Sequence, residues 1–165
     1  DRDEVDHYLK LAADNGCKAD IFEYALKMKD GHDGISQNKE AAAHFLKILV
    51  DKDDLYSIYN YALMLFLGDG VDQNPAEGLK YLKKAADGGF PIAMYNYGLM
   101  LRDGNGIEAN SLEAAKYIKK AADAGFPPAI SFYGQMLSVG DGVPVNKAEA
   151  ERYLKMAREM KKWFI

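Results

Sequence analysis

Apolar and polar positions alternate along this chain with the 3.6-residue rhythm of helices, and glycine breaks the rhythm at regular intervals. One unit runs from Phe90 to Gly125. In its first half Ala93, Tyr97, Gly98 and Leu101 fall at i, i+4, i+5 and i+8, on one helix face. Arg102-Asp103-Gly104-Asn105-Gly106 follows. A glycine there ends the helix, because it enters left-handed backbone space at little cost. A second helix opens at Asn110, with Glu113 three residues on. That is capping-box spacing, in which the Asn side chain accepts from an orphan amide and the Glu reaches back. Ala114, Tyr117, Ile118, Ala121 and Ala122 form its apolar stripe, and Lys116, Lys119, Lys120 and Asp123 take the other side. The paired alanines let a neighbouring helix approach to roughly 8–10 Å.

The same pattern recurs. The pair that closes each glycine loop appears as Gly34-Ile35, Gly70-Val71, Gly106-Ile107 and Gly142-Val143, each 36 residues after the last. The cap pair recurs as Asn74 with Glu77, where Pro75 takes the first helical position, and as Asn146 with Glu149. Asn38 has Ala41 where the Glu would stand. A fixed period of this size means stacked supersecondary units, not one globular core. It divides a single repeat domain over residues 1–165 into a leading second-type helix (1–16) and four two-helix units, 17–52, 53–89, 90–125 and 126–165. Gly68, Gly104 and Gly140 are predicted to end first helices with positive φ. No strand pattern competes.

These residues resemble the Sel1-like repeat family. Ala93 to Gly125 follows the family pattern nearly throughout, with Gly104-Asn105-Gly106-Ile107 at the loop and Lys120-Ala121-Ala122 near the end. The family's Trp position holds Phe45, Tyr81, Tyr117 and Tyr153, and its Leu…Tyr order is inverted: Tyr24, Tyr61, Tyr97 and Tyr133 come first. That swap roughly conserves volume, which cores tolerate. The unit at Asp53 opens with Asp53-Asp54 in place of Gly-Phe-Pro. The resemblance implies an all-α, right-handed α/α solenoid of helix-turn-helix repeats, similar to tetratricopeptide repeats. First helices would line a concave side, and the protein would act as an adaptor or scaffold.

Composition removes other classes. Acids outnumber bases 25 to 21, and no basic stripe for nucleic acid is visible. No apolar run approaches the ~20 residues that span a bilayer. The one cysteine, Cys17, cannot form an internal disulfide, which leans towards a reducing, cytoplasmic setting; it reads as a small buried apolar residue. The chain starts without Met in what reads as mid-unit, as an excised segment would. His7 stands in the leading helix and His32 and His44 in the unit 17–52, with no carboxylate pair at metal-ligand spacing, so no metal site is expected. The glycine loops lack the Gly-Lys-Ser/Thr of a P-loop and the spaced acids of an EF-hand. No nucleophile–base set is visible, so neither catalysis nor a cofactor is expected.

Function then rests on the surface the stack builds. Aligned on family geometry, Phe22, Tyr59 and Tyr95 form an aromatic column on the concave face, with Asn60 and Asn96 beside it and Phe66, Leu99 and Arg102 along the same helices. Aromatics anchor interfaces, and Asn can clamp a peptide backbone by donating and accepting at once. The rival reading makes the rings packing between neighbouring helices and the Asn pair mutual partners. Four such helices about 10 Å apart would hold roughly nine residues of an extended segment at ~3.3 Å per residue. The expected partner is a protein or peptide, with a structural spacer or oligomerisation arm as the alternative. Trp163, Phe164 and Ile165, which end the last helix with no terminating glycine, either pack back on the last unit as a hydrophobic cap or, the favoured reading, dock onto a following unit or a second chain in self-association.

Overall fold

The computed structural model describes Asn15, residues 17–32, Gly34 and residues 36–161. Among the described residues there are eight helices and no strand: α1 Lys18–Asp30, α2 Lys39–Val50, α3 Leu55–Leu67, α4 Pro75–Asp87, α5 Pro91–Asp103, α6 Ser111–Asp123, α7 Pro127–Val139 and α8 Lys147–Lys161. The chain is an all-α solenoid of helical hairpins. It divides into two compact units, residues 1–81 and 82–165. In the first, α2 packs on both α1 and α3, around Ile21, Ala25, Phe45, Leu46, Leu49 and Met64. In the second, α6 packs on α5 and α7, and α7 on α8. Ala93, Leu101, Ile118, Ile130, Met136 and Leu137 are buried there.

The glycine terminators behave as the spacing predicts. Gly31, Gly68, Gly104 and Gly140 follow α1, α3, α5 and α7 with φ of 75°, 70°, 69° and 84°. The Asn caps also form: Ala41, Glu77, Glu113 and Glu149 each donate their backbone N–H to the Asn three residues earlier. The Glu half of the cap differs from a standard capping box. Asn74 and Asn146 donate their side-chain amides to Glu77 and Glu149 at 3.2 and 3.0 Å. Their backbone N–H groups are already committed to Leu65 and Leu137 carbonyls at 2.8 and 2.9 Å, which closes the loop onto the helix before it.

Two further departures have local causes. Cys17 is exposed, not buried, because it sits at the N-cap of α1 ahead of the first packed turn. Asp53 takes φ 55° where the other units place Gly89 and Gly125 at φ 89° and 83°. Asp tolerates this region better than most residues. Asp54 then caps α3 by accepting from Ser57 N at 2.8 Å, in a junction that lacks Gly-Phe-Pro.

Small residues set the approach of the helices within each hairpin. A Cβ on Gly98 would lie 2.6 Å from Ile118 Cγ1, and one on Gly134 would lie 2.9 Å from Leu154 Cγ. In the α3/α4 hairpin the first helix carries Ala62 at that place, and the facing helix supplies the space instead: a Cβ on Gly78 would come within 3.1 Å of the Ala62 carbonyl oxygen.

Ser57 is the one imperfect fit among the described core residues. It is fully buried on α3, and its hydroxyl has no hydrogen-bond partner. Ala93 and Ala129 hold the equivalent places and are equally buried. Ser57→Ala is therefore expected to raise unfolding free energy by about 1 kcal/mol, since a buried unpaired hydroxyl carries its desolvation cost. Urea denaturation checks this; a lower midpoint would mean the hydroxyl has a partner after all.

Candidate functional site

The first helices α1, α3, α5 and α7 carry the aromatic positions singled out above. In the first unit the Phe22 ring of α1 meets Tyr56 of α3 at 5.9 Å, tilted by 58°. Tyr56 is 58% exposed. The two rings border a cavity of about 630 Å³ between α1 and α3, with Lys18, Ala19, Glu23, Leu26 and Asp54 as the other lining residues. Tyr59 is half-buried on α3. Asn60 donates its side-chain amide to the Tyr56 carbonyl on its own helix at 2.8 Å. Phe66 turns inward: its ring lies 3.3 Å from where a Cβ of Gly78 would stand, so it packs within its own hairpin.

The second unit builds a tighter group. Tyr95 of α5 stands edge-on to Phe126 at 5.6 Å and to Phe132 of α7 at 6.0 Å, with an 81° angle to the latter. Arg102, near the end of α5, lays its guanidinium 4.7 Å from the Phe132 ring centre. Its Nε donates to Asp103 Oδ1 at 2.6 Å, and that bond raises the guanidinium pKa further. Burial pushes the Tyr95 hydroxyl above its ordinary value, while Arg102 pulls it back. Asn96 and Leu99 are half-buried on α5. The structure thus brings Tyr95 and Arg102 together through Phe132, a residue the column left out. Continued by 36 residues, the register of Tyr59 and Tyr95 falls on Ser131, and the ring stands one position later, in the register of Asn60 and Asn96. The aromatic at 132 is itself the signal that was available.

Trp163, Phe164 and Ile165 lie outside the described residues. The helix before them, α8, has 15 residues where α4 and α6 have 13. Among the described residues, no three His, Cys, Asp or Glu side chains gather where a metal could be held, and no helix is long and apolar enough to cross a membrane.

The Sel1 repeat pattern matches residues 7–17, 21–54, 55–90, 91–126 and 127–161. The chain belongs to the Sel1 repeat family. Two solved structures are similar. One is a Sel1 repeat protein from Oxalobacter formigenes, at 25% identity and TM-score 0.79, with 86% of this chain aligned to 58% of that one. The other is a protective antigen of uropathogenic Escherichia coli strains that displays the same fold, at 26% identity and TM-score 0.82, with 93% of this chain aligned to 33% of that one. The chain therefore spans less than two thirds of either. No curated protein matches the sequence significantly. Sel1 repeat proteins are in general protein-interaction scaffolds and not enzymes.

The Sel1 units are bound to one another by a device on the second helices. Within each hairpin two aromatics pack together: Tyr24 with Phe45, Tyr61 with Tyr81, Tyr97 with Tyr117 and Tyr133 with Tyr153, the last three edge-to-face at 4.9–5.3 Å. Putting a tyrosine at the family's Trp position adds a hydroxyl at the outer end of the pair. Tyr117 donates to Asp87 at 2.5 Å and Tyr153 to Asp123 at 3.0 Å, each reaching the preceding hairpin. Lys83 and Lys119 hold the same two carboxylates at 2.5 and 2.6 Å. In the first unit the order changes: Lys47 donates directly to the Tyr81 hydroxyl at 2.6 Å, with Asp51 3.6 Å away. Burial raises the Asp87 carboxyl, but the bonds from Lys83 and Tyr117 outweigh it and hold Asp87 below its ordinary value.

Proposed function

We propose that this Sel1 repeat chain is a protein-interaction scaffold that holds a segment of a partner protein along its first-helix faces. The observation that carries the reading is the group formed by Tyr95, Phe132 and Arg102. Tyr97 and Tyr133, on the same two helices, are consumed by packing within their hairpins at 4% and 5% exposure. Tyr95, Phe132 and Arg102 instead remain half-buried. They offer ring edges and a guanidinium side by side on a rigid backbone, the composition that interface anchors favour. Asn96 and Leu99 on the same helix extend the surface with an amide and an apolar contact. Phe22, Tyr59 and Asn60 supply the corresponding surface in the first unit. Phe66 serves it by supporting α3 against Gly78.

The test is a double substitution, Tyr95→Ala with Phe132→Ala, titrated against a nine-residue peptide selected from a random library on the intact chain. Two half-buried anchors lost together should weaken binding by about tenfold or more, with far-ultraviolet helicity retained. Undiminished affinity with a large drop in melting temperature would make the rings core residues and defeat the proposal.

A further inference from the structure

The cavity between α1 and α3 has a composition that selects among partner segments. We infer that it receives a cationic side chain, lysine or arginine, from the bound segment; this rests on the scaffold reading and names what the segment must carry. Two aromatic rings border the cavity, Phe22 and Tyr56, with centroids 5.9 Å apart and planes tilted at 58°. A cation gains from such rings through their quadrupole. Ala19 and Leu26 give apolar lining for the methylene stem. The remaining lining residues are charged, Glu23 and Asp54 against Lys18; with Lys27 paired to Glu23 the site is neutral, and its two carboxylates are what a cation would meet.

The existing bonds of these three groups are compatible with a guest. Lys18 sends its ammonium to the Lys52 carbonyl at 3.3 Å. Glu23 meets Lys27 through Oε1 at 2.8 Å, and Asp54 uses Oδ2 to cap α3. Each carboxylate has more acceptor positions than these contacts occupy. α3 contributes no charged residue of its own, so nothing on that wall repels a cation. An acidic side chain would face both carboxylates. A neutral apolar one would fill the space without using either of them.

The probes are three nine-residue alanine–glycine peptides with lysine, norleucine or glutamate at the centre, titrated into the full chain and followed by amide chemical shifts. The lysine peptide should give saturable shifts at Phe22, Glu23 and Tyr56. It should bind at least about threefold tighter than the norleucine peptide, and the glutamate peptide should bind weakest. Tyr56→Leu, at an exposed position, should weaken the lysine peptide about two- to fivefold and leave the norleucine peptide unchanged. Equal binding of lysine and norleucine peptides would overturn the inference. So would shifts confined to α5 and α7, in which case the scaffold reading would stand. Absence of shifts anywhere, for all three peptides at millimolar concentration, would overturn both.

Discussion

Gly142→Ala is expected to destabilise the chain by about 4 kcal/mol, among the largest effects of any single methyl group in it. Two costs coincide. Gly142 holds φ 68°, and a Cβ there would overlap the Ser111 carbonyl oxygen and sit within 2.5 Å of its carbonyl carbon. Backbone strain of this kind costs about 1–3 kcal/mol, and forced overpacking adds about 1–3 kcal/mol. The obstacle is main chain at the first residue of α6, so no rotamer change relieves it. Gly140 provides the control. Its φ is 84°, but a Cβ there would first meet the Val145 side chain at 2.9 Å, which can move. Gly140→Ala should therefore cost about half as much. Thermal unfolding of the two variants separates the terms, with a fall of about 12 °C expected for Gly142→Ala. Equal losses would show that the loop does not bear on α6 as described.

Tyr117→Ala should cost a similar amount, about 3–5 kcal/mol, since the ring is 8% exposed and packs edge-to-face on Tyr97. Tyr117→Phe keeps the ring and removes only the bond to Asp87; it should cost about 1.5 kcal/mol, as for a hydrogen bond to a charged group. Urea titration of both separates packing from hydrogen bonding. The pH dependence has a definite sign at each end. Burial first, and then the Asp87 bond, raise the Tyr117 hydroxyl well above its ordinary value. That contribution is complete below the unfolded value and is lost as pH rises through the folded one. The lowered Asp87 carboxyl works in reverse: its contribution is present above the unfolded value and is lost as pH falls through the folded value. Tyr117→Phe should flatten the alkaline arm. An unaltered alkaline profile, with a cost below about 0.5 kcal/mol, would mean the hydroxyl bond is not retained in solution.

The local features were readable in the sequence because each arises from residues close together. Gly68, Gly104 and Gly140 announce their backbone by being the residue that ends a periodic stripe. Asn74 and Asn110 announce their caps by the residue three places on. What the sequence obscured depends on distant partners. Cys17 looked like core by residue type, yet the first packed turn begins after it. Phe66 looked like groove by register, but the missing side chain at Gly78, twelve residues on, draws its ring inward. The Lys83–Asp87–Tyr117 contact joins residues 30 and 34 apart, and amphipathic periodicity treats all three as merely polar or aromatic. Its trace was nonetheless present, because Lys119, Asp123 and Tyr153 repeat it at the same offset. The cation-facing cavity was hidden for a different reason: Tyr56 lies three positions before Tyr59, and only the packing of α3 on its neighbours shows which of the two rings meets Phe22.

The tyrosine–carboxylate contacts give the α5/α6 hairpin both a plug and a socket of the same make. Tyr117 enters the socket of the hairpin before it, and the hairpin that bears Tyr117 offers Asp123 and Lys119 to Tyr153. The hydroxyl–carboxylate bond forms only between neighbouring hairpins, so that part of the cohesion resides in adjacency and spreads from neighbour to neighbour. A coupling of this standard form is indifferent to which hairpin stands on either side. Gene duplication or loss in steps of 36 residues can therefore lengthen or shorten the array at such a joint without a new one having to evolve.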